Sequence, residues 1–251
     1  MIHRDSITSD DNFFREIDKN PENLYNNWMK TLFYHFRWFG IIGTAIITVA
    51  SFVTSIFFRT AVGYRYSLLN HFISELGWEG HSSLAWLFNA SLIVTGLLFI
   101  FFIVGLGYFL RGAWSKISAL CGIVTAVFCG LVGVFPMNHL VQHTFVAMWF
   151  FRGGLATVLL FAIAFLVQPR DEIRFPKTAS LVSIPAILAF GTFLVLASAK
   201  VDPLSASTSL GTLAEPPPFR LLAVVEWCVF IFTILWFLGV ALLIPYKKSQ
   251  K

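Results

Sequence analysis

Six apolar runs, each close to the length of a membrane crossing, govern what this chain can fold into. They fall at about Trp38–Phe58, Leu84–Leu110, Ile117–Phe135, Thr144–Val167, Thr178–Ala199 and Leu221–Ile244. A bilayer core about 30 Å thick needs roughly 20 apolar residues per helix. Inside it every backbone polar group must be satisfied within the protein, which a helix does by itself. The expected fold class is therefore all-α, a polytopic membrane protein with a six-transmembrane-helix bundle. Composition agrees: 57% of the 251 residues are hydrophobic and 12% charged, with a mean hydropathy of +0.75, far from a soluble domain.

Lys and Arg placement sets the orientation. Thirteen lie in the N-terminal tail, the second and fourth loops and the C-terminus. Four, namely Arg59, Arg65, Lys200 and Arg220, lie in the other loops, and Arg152 falls within a span. Both termini are thus expected in the cytoplasm: a tail over 1–37, a six-span domain over 38–245, and a short tail over 246–251. Residues 1–37 hold six acids and lack the basic-then-apolar pattern of a signal peptide. Phe13–Trp28 reads either as a helix at the lipid headgroups or as a partly ordered tail. The net charge of +5 is accounted for by basic loops and calls for no nucleic acid; the expected partners are membrane lipids. Cys121, Cys129 and Cys228 all fall in spans, so no disulfide framework is expected.

Chemistry concentrates in two segments that nearly echo each other, Asn70-His71-Phe72-Ile73-Ser74-Glu75 and Asn138-His139-Leu140-Val141-Gln142-His143. Both sit on the side of the membrane opposite the termini. In helices, the i,i+4 spacing would put His71 with Glu75 on one face and His139 with His143 on another. Ser67–Gly77 reads as a short amphipathic helix stopped by Gly77, with Ser67, Asn70, His71, Ser74 and Glu75 on its polar side. That side faces either the bundle mouth or water. Pro136 suits the first turn of a new helix. If the segments converge, His71, Glu75, His139 and His143 could ligate zinc, which would generate a hydroxide at neutral pH. Without a metal, His143 and Glu75 could act as a base and its orienter, with Ser74, Asn70 and Asn138 in support. The remaining alternative is that all of these are interfacial residues capping helix ends. Charges within spans are expensive, so Arg152 and Glu226 are expected to pair, as a structural clamp or as a binding site for an anionic headgroup. Gly105/Gly107 and Gly153/Gly154 are expected to let helices approach closely.

The elements Ile73-Ser74-Glu75-Leu76-Gly77, Leu87-Phe88-Asn89 and Gly133-Val134-Phe135-Pro136-Met137-Asn138-His139, with His143, resemble a family of prokaryotic six-helix membrane proteins of unknown function. They are loosely similar to the Frag/DRAM/Sfk group, which carries an Ile-Ser-Asp-x-Gly element. The resemblance spans roughly residues 35–245 and implies the fold and a prokaryotic cell membrane, but no reaction. A weaker likeness is to seven-helix membrane hydrolases of the ceramidase and progestin-receptor-like type, which hold zinc with three His. The expected function is an outward-facing His/Glu site, either a metal-dependent hydrolase or a binding protein for a lipid or amphiphile. A transporter-like or scaffold protein is the alternative.

Overall fold

The computed structural model describes residues 21–59, 63–168, 175–199 and 217–244, with side chains from His35 onward. Among the described residues six α-helices follow in order: α1 Pro21–Phe57, α2 Ala85–Leu110, α3 Ala113–Val134, α4 Leu140–Leu166, α5 Ala179–Ser198 and α6 Leu221–Leu243. Short 3-10 helices occupy Ile73–Gly77 and Met137–His139. The six stretches long and apolar enough to cross a membrane are His35–Phe57, Ala85–Leu110, Ala113–Val134, Met137–Leu166, Ala179–Ser198 and Leu221–Leu243. These match the expected runs to within a few residues, except that the fourth starts seven residues early, at Met137. Helix α1 begins at Pro21, so residues 21–37 continue directly into the first span. Residues 13–20, most of the fifth loop (200–216) and the C-terminal tail lie outside the described residues.

Each helix packs on its neighbours in sequence, and α6 returns to pack on α1, closing a ring. Phe36 near the start of the first span packs on Phe102 and Phe109 late in α2, and Trp236 late in α6 bonds Ser183 early in α5. The starts of α2 and α6 meet the loop after α1, residues 58–84, through Asn89 and Arg220. The ring is therefore up-and-down, with the first span's start and the end of α6 at one end and that loop at the other. The outer wall is apolar: Phe52 (68%), Leu120 (67%), Leu188 (63%) and Val195 (67%) are each mostly exposed. In water such a surface would associate; against hydrocarbon it is the solvated one.

Lipid supplies no hydrophobic drive between helices, so the ring depends on close contact and cross-helix hydrogen bonds. A Cβ on Gly96 would stand 2.7 Å from the Ala126 carbonyl, and one on Gly133 would fall onto the Asn89 carbonyl, so α2 and α3 touch backbone to backbone. Gly105 lies against the Phe36 ring, Gly107 against Ala119, Gly153 against Thr125 and Gly154 against Phe190. Thr95 donates to the Gly43 carbonyl at 3.2 Å, Thr125 and Thr157 share a bond of 3.0 Å, and Trp236 Nε1 donates to Ser183 at 2.9 Å.

Candidate functional site

The 58–84 loop closes one end of the ring, and its 3-10 helix touches α1, α2, α6 and the Met137–His139 turn. The expected single helix over Ser67–Gly77 is broken at Phe72, whose backbone is extended (φ −65°, ψ 146°). The cause lies in α6. A continuous helix would need the Ile73 N–H to bond the Leu69 carbonyl. Instead the Arg220 N–H takes the Leu69 carbonyl at 2.8 Å, and Ile73 N–H donates to Glu226 Oε2 at 2.9 Å. The Glu75 carboxylate reaches back to the Phe72 N–H at 3.1 Å, one half of a capping box. The last residue of the 3-10 helix, Gly77, must be a glycine because Asn89 occupies the space a Cβ would need; Asn89 Nδ2 donates to the Gly77 carbonyl at 3.0 Å.

His71, Glu75, Arg220 and Glu226 are all buried here. Arg220 reaches Glu75 at 3.9 Å, the outer limit of an ion pair. His71 stacks on Tyr66 and lies edge-on to Phe58, and its Nδ1 accepts the Ser67 N–H at 3.3 Å. Tyr66 donates to the Phe72 carbonyl at 2.8 Å and accepts from Trp227 Nε1 at 3.0 Å. Arg220, Tyr66 and Trp227 were not singled out from sequence: Arg220 reads there as a loop charge, and nothing local marks the two aromatics.

The second segment behaves differently. His139 is exposed, and its backbone (φ −109°, ψ 60°) is not helical. The expected His139/His143 face is therefore not formed. His143 alone turns inward, its Nδ1 at 2.8 Å from the Phe135 carbonyl. A carbonyl only accepts, so in the neutral ring Nδ1 carries the proton and Nε2 the lone pair. Asn138 exchanges two hydrogen bonds with the Glu79 backbone, at 3.0 and 3.2 Å, tying the two loops together. Asn70 is half-buried. The expected Arg152–Glu226 pair is absent: Arg152 is exposed with its guanidinium 6.0 Å from the Trp149 ring. Among the described residues no three His, Cys, Asp or Glu side chains are grouped to hold a metal ion.

Beneath the cap lies a cavity of about 120 Å³ walled by all six helices, with Ile47, Phe99, Cys129, Phe150, Phe190 and Phe237 supplying one residue each from α1 to α6. Ser74, His143, Glu226 and Thr233 also line it. The two expected segments therefore do meet, through Ser74 and His143, on the wall of one cavity rather than around one metal ion.

Burial raises Glu75 to about 7, with the Phe72 N–H and Arg220 pulling the other way. Burial lowers His71 to about 4, assisted by the Arg220 charge. Burial, with the charges of Glu226 and Glu75, raises the Tyr66 phenol well above its usual range. The first two oppose each other in stability. The Glu75 contribution is present below 4.5 and is lost as pH rises to about 7. The His71 contribution is present above 6.5 and is lost as pH falls to about 4. Between 4.5 and 6.5 folding moves one proton from His71 to Glu75 and binds none, so cap stability should be flat. Substitution exposes each slope. Glu75→Gln should lose protection at the Trp78 amide on acidification, and His71→Phe should lose it on alkalinisation, by hydrogen-exchange protection factors. Identical pH profiles in both variants and the wild type would contradict the assignment.

The ring, its lipid-facing wall and its capped end define an integral, multi-pass membrane protein built around a largely apolar internal cavity. Residues 46–243, nearly the whole bundle, match the family of proteins of unknown function DUF998, and the chain belongs to that family. No curated protein and no solved structure matches the chain.

Proposed function

We propose that the protein binds a small, largely apolar ligand within the ring of helices, its polar group held at the end of the cavity lined by Ser74, His143 and Glu226. The observation that supports this is the cavity itself, with an apolar body and Ser74, His143 and Glu226 among the residues that line it. Its volume of about 120 Å³ is near that of an apolar cavity of about 150 Å³ known to take benzene. One ring or one short chain fits; a two-chain phospholipid does not. The excess of Lys and Arg in the tails and even-numbered loops supports placing the termini in the cytoplasm and the cap outside. Chemistry on the ligand would further require a nucleophile and base in hydrogen-bond reach of it; binding requires only the cavity.

Fluorobenzene in nanodiscs, followed by ¹⁹F NMR, tests the reading. Saturable binding is expected. Ala147→Phe, which fills the cavity from α4, should weaken it about tenfold or more, the worth of burying a ring. Val141→Phe, at an exposed site on the same helix, should leave it unchanged. Non-saturable partitioning, equal in all three proteins, would contradict the reading.

A further inference from the structure

Glu226 lies in the second turn of α6, on the cavity wall. Its Oε2 accepts the Ile73 N–H at 2.9 Å, and Ser74, the next residue, lies beside the carboxylate. No Lys or Arg is among the described residues lining the cavity, and among the described residues none forms an ion pair with Glu226. Arg220 is turned to Glu75 instead, so two buried carboxylates share the cap with one guanidinium. The other described groups facing Glu226 leave that count unchanged. The cap presents Glu75, Ser74 and the Tyr66 phenol, while His143 of α4 and Thr233, two turns further along α6, line the same cavity.

Two other groups that line the cavity have hydrogen-bonding capacity to spare. His143 Nε2 carries a lone pair, since Nδ1 donates to the Phe135 carbonyl. Thr233 Oγ1 is buried without a hydrogen-bond partner. The carboxylate of Glu226 thus lines a largely apolar cavity that no described Lys or Arg enters, and an ammonium supplies both a charge and three donors while asking for no donor in return.

We propose that the ligand is a hydrophobic primary amine, bound as its ammonium on Glu226, with a single ring or short chain lying toward Phe99, Phe150 and Phe237. This rests on the binding reading above. An alcohol of the same shape brings one donor and no charge, and a carboxylate would face Glu226 directly.

Calorimetric titration of the full-length protein in nanodiscs with 2-phenylethylamine, 2-phenylethanol and phenylacetate separates these cases. At neutral pH the amine should bind about tenfold or more tighter than the alcohol, the advantage of a charge-assisted hydrogen bond over a neutral one, and phenylacetate most weakly. Glu226→Gln keeps the acceptor for Ile73 and should bring the amine down to the alcohol's affinity, while hydrogen-exchange protection over Ile73–Gly77 that stays at the wild-type level shows that the variant is folded. Equal affinity for amine and alcohol, or a preference for phenylacetate, would overturn the amine assignment while fluorobenzene binding upholds the cavity. Failure of fluorobenzene and all three probes would overturn both.

Discussion

Gly133→Val should destabilise the bundle severely, by forcing two helices apart. A Cβ at 133 falls onto the Asn89 carbonyl oxygen, with the Leu92 Cβ 3.0 Å away. The obstacle is backbone, which no rotamer change can relieve, so α3 must move away from α2. Overpacking of this kind costs about 3 kcal/mol or more; for about 200 ordered residues that lowers Tm by roughly 6–12 °C. Displacing α3 also disturbs Asn89, whose side chain holds the Gly77 carbonyl at the end of the cap's 3-10 helix. The lesion should therefore loosen both the ring and its cap. Gly130→Ala is the control, since nothing approaches its Cβ position closer than 3.9 Å. Thermal unfolding in detergent should leave Gly130→Ala near wild type while Gly133→Val melts far lower. Equal melting of the two would contradict the backbone contact.

Glu226→Leu should open the cap without dissolving the ring. Leucine fills a similar volume but accepts no hydrogen bond, stranding the Ile73 N–H in a buried setting where Ile73 is 8% exposed. An unsatisfied buried donor costs about 1–3 kcal/mol. Ile73 and Ser74 form part of the cavity's end wall, so the loss should be felt there first. Hydrogen exchange should accelerate about 10- to 100-fold over Ile73–Gly77, as that free energy dictates, with little change in mid-span α3 and α4. Glu226→Gln, retaining a carbonyl oxygen for Ile73, should stay close to wild type in the same experiment. A uniform acceleration across all helices, or none at Ile73, would contradict the role given to this carboxylate.

The spans were legible from sequence because the bilayer converts length and apolarity directly into structure, whatever the periodicity within each run. The cap was legible only in part. Over Ser67–Gly77 the local pattern is that of an amphipathic helix, yet both of its sides are buried in part, His71 and Glu75 on the polar one and Phe72, Ile73 and Leu76 on the apolar one. Its break at Phe72 depends on Arg220 and Glu226, about 150 residues away in sequence, and local periodicity carries no information at that range. The spacing of His139 and His143 suggests a shared face, but Met137–His139 is a 3-10 turn and His139 precedes the first residue of α4. Arg152 and Glu226 were paired on the rule that charges within spans seek each other. Instead Glu226 is satisfied by the backbone of the 3-10 helix, and Arg152 lies on the lipid-side surface beside Trp149. Arg220 was the residue most concealed. It follows Pro216-Pro217-Pro218 as though it belonged to an exposed loop, yet it is 7% exposed against Glu75.

Ligand binding inside the ring requires above all that the cavity beneath the cap accept an apolar body. Anomalous diffraction from crystals soaked in bromobenzene tests this most directly. A bromine peak is expected inside the ring, among Phe99, Phe150 and Phe237 and below Ser74, and it should be absent from crystals of Ala147→Phe. Bromine found only on the lipid-facing surface, with the interior closed by its own side chains, would contradict it.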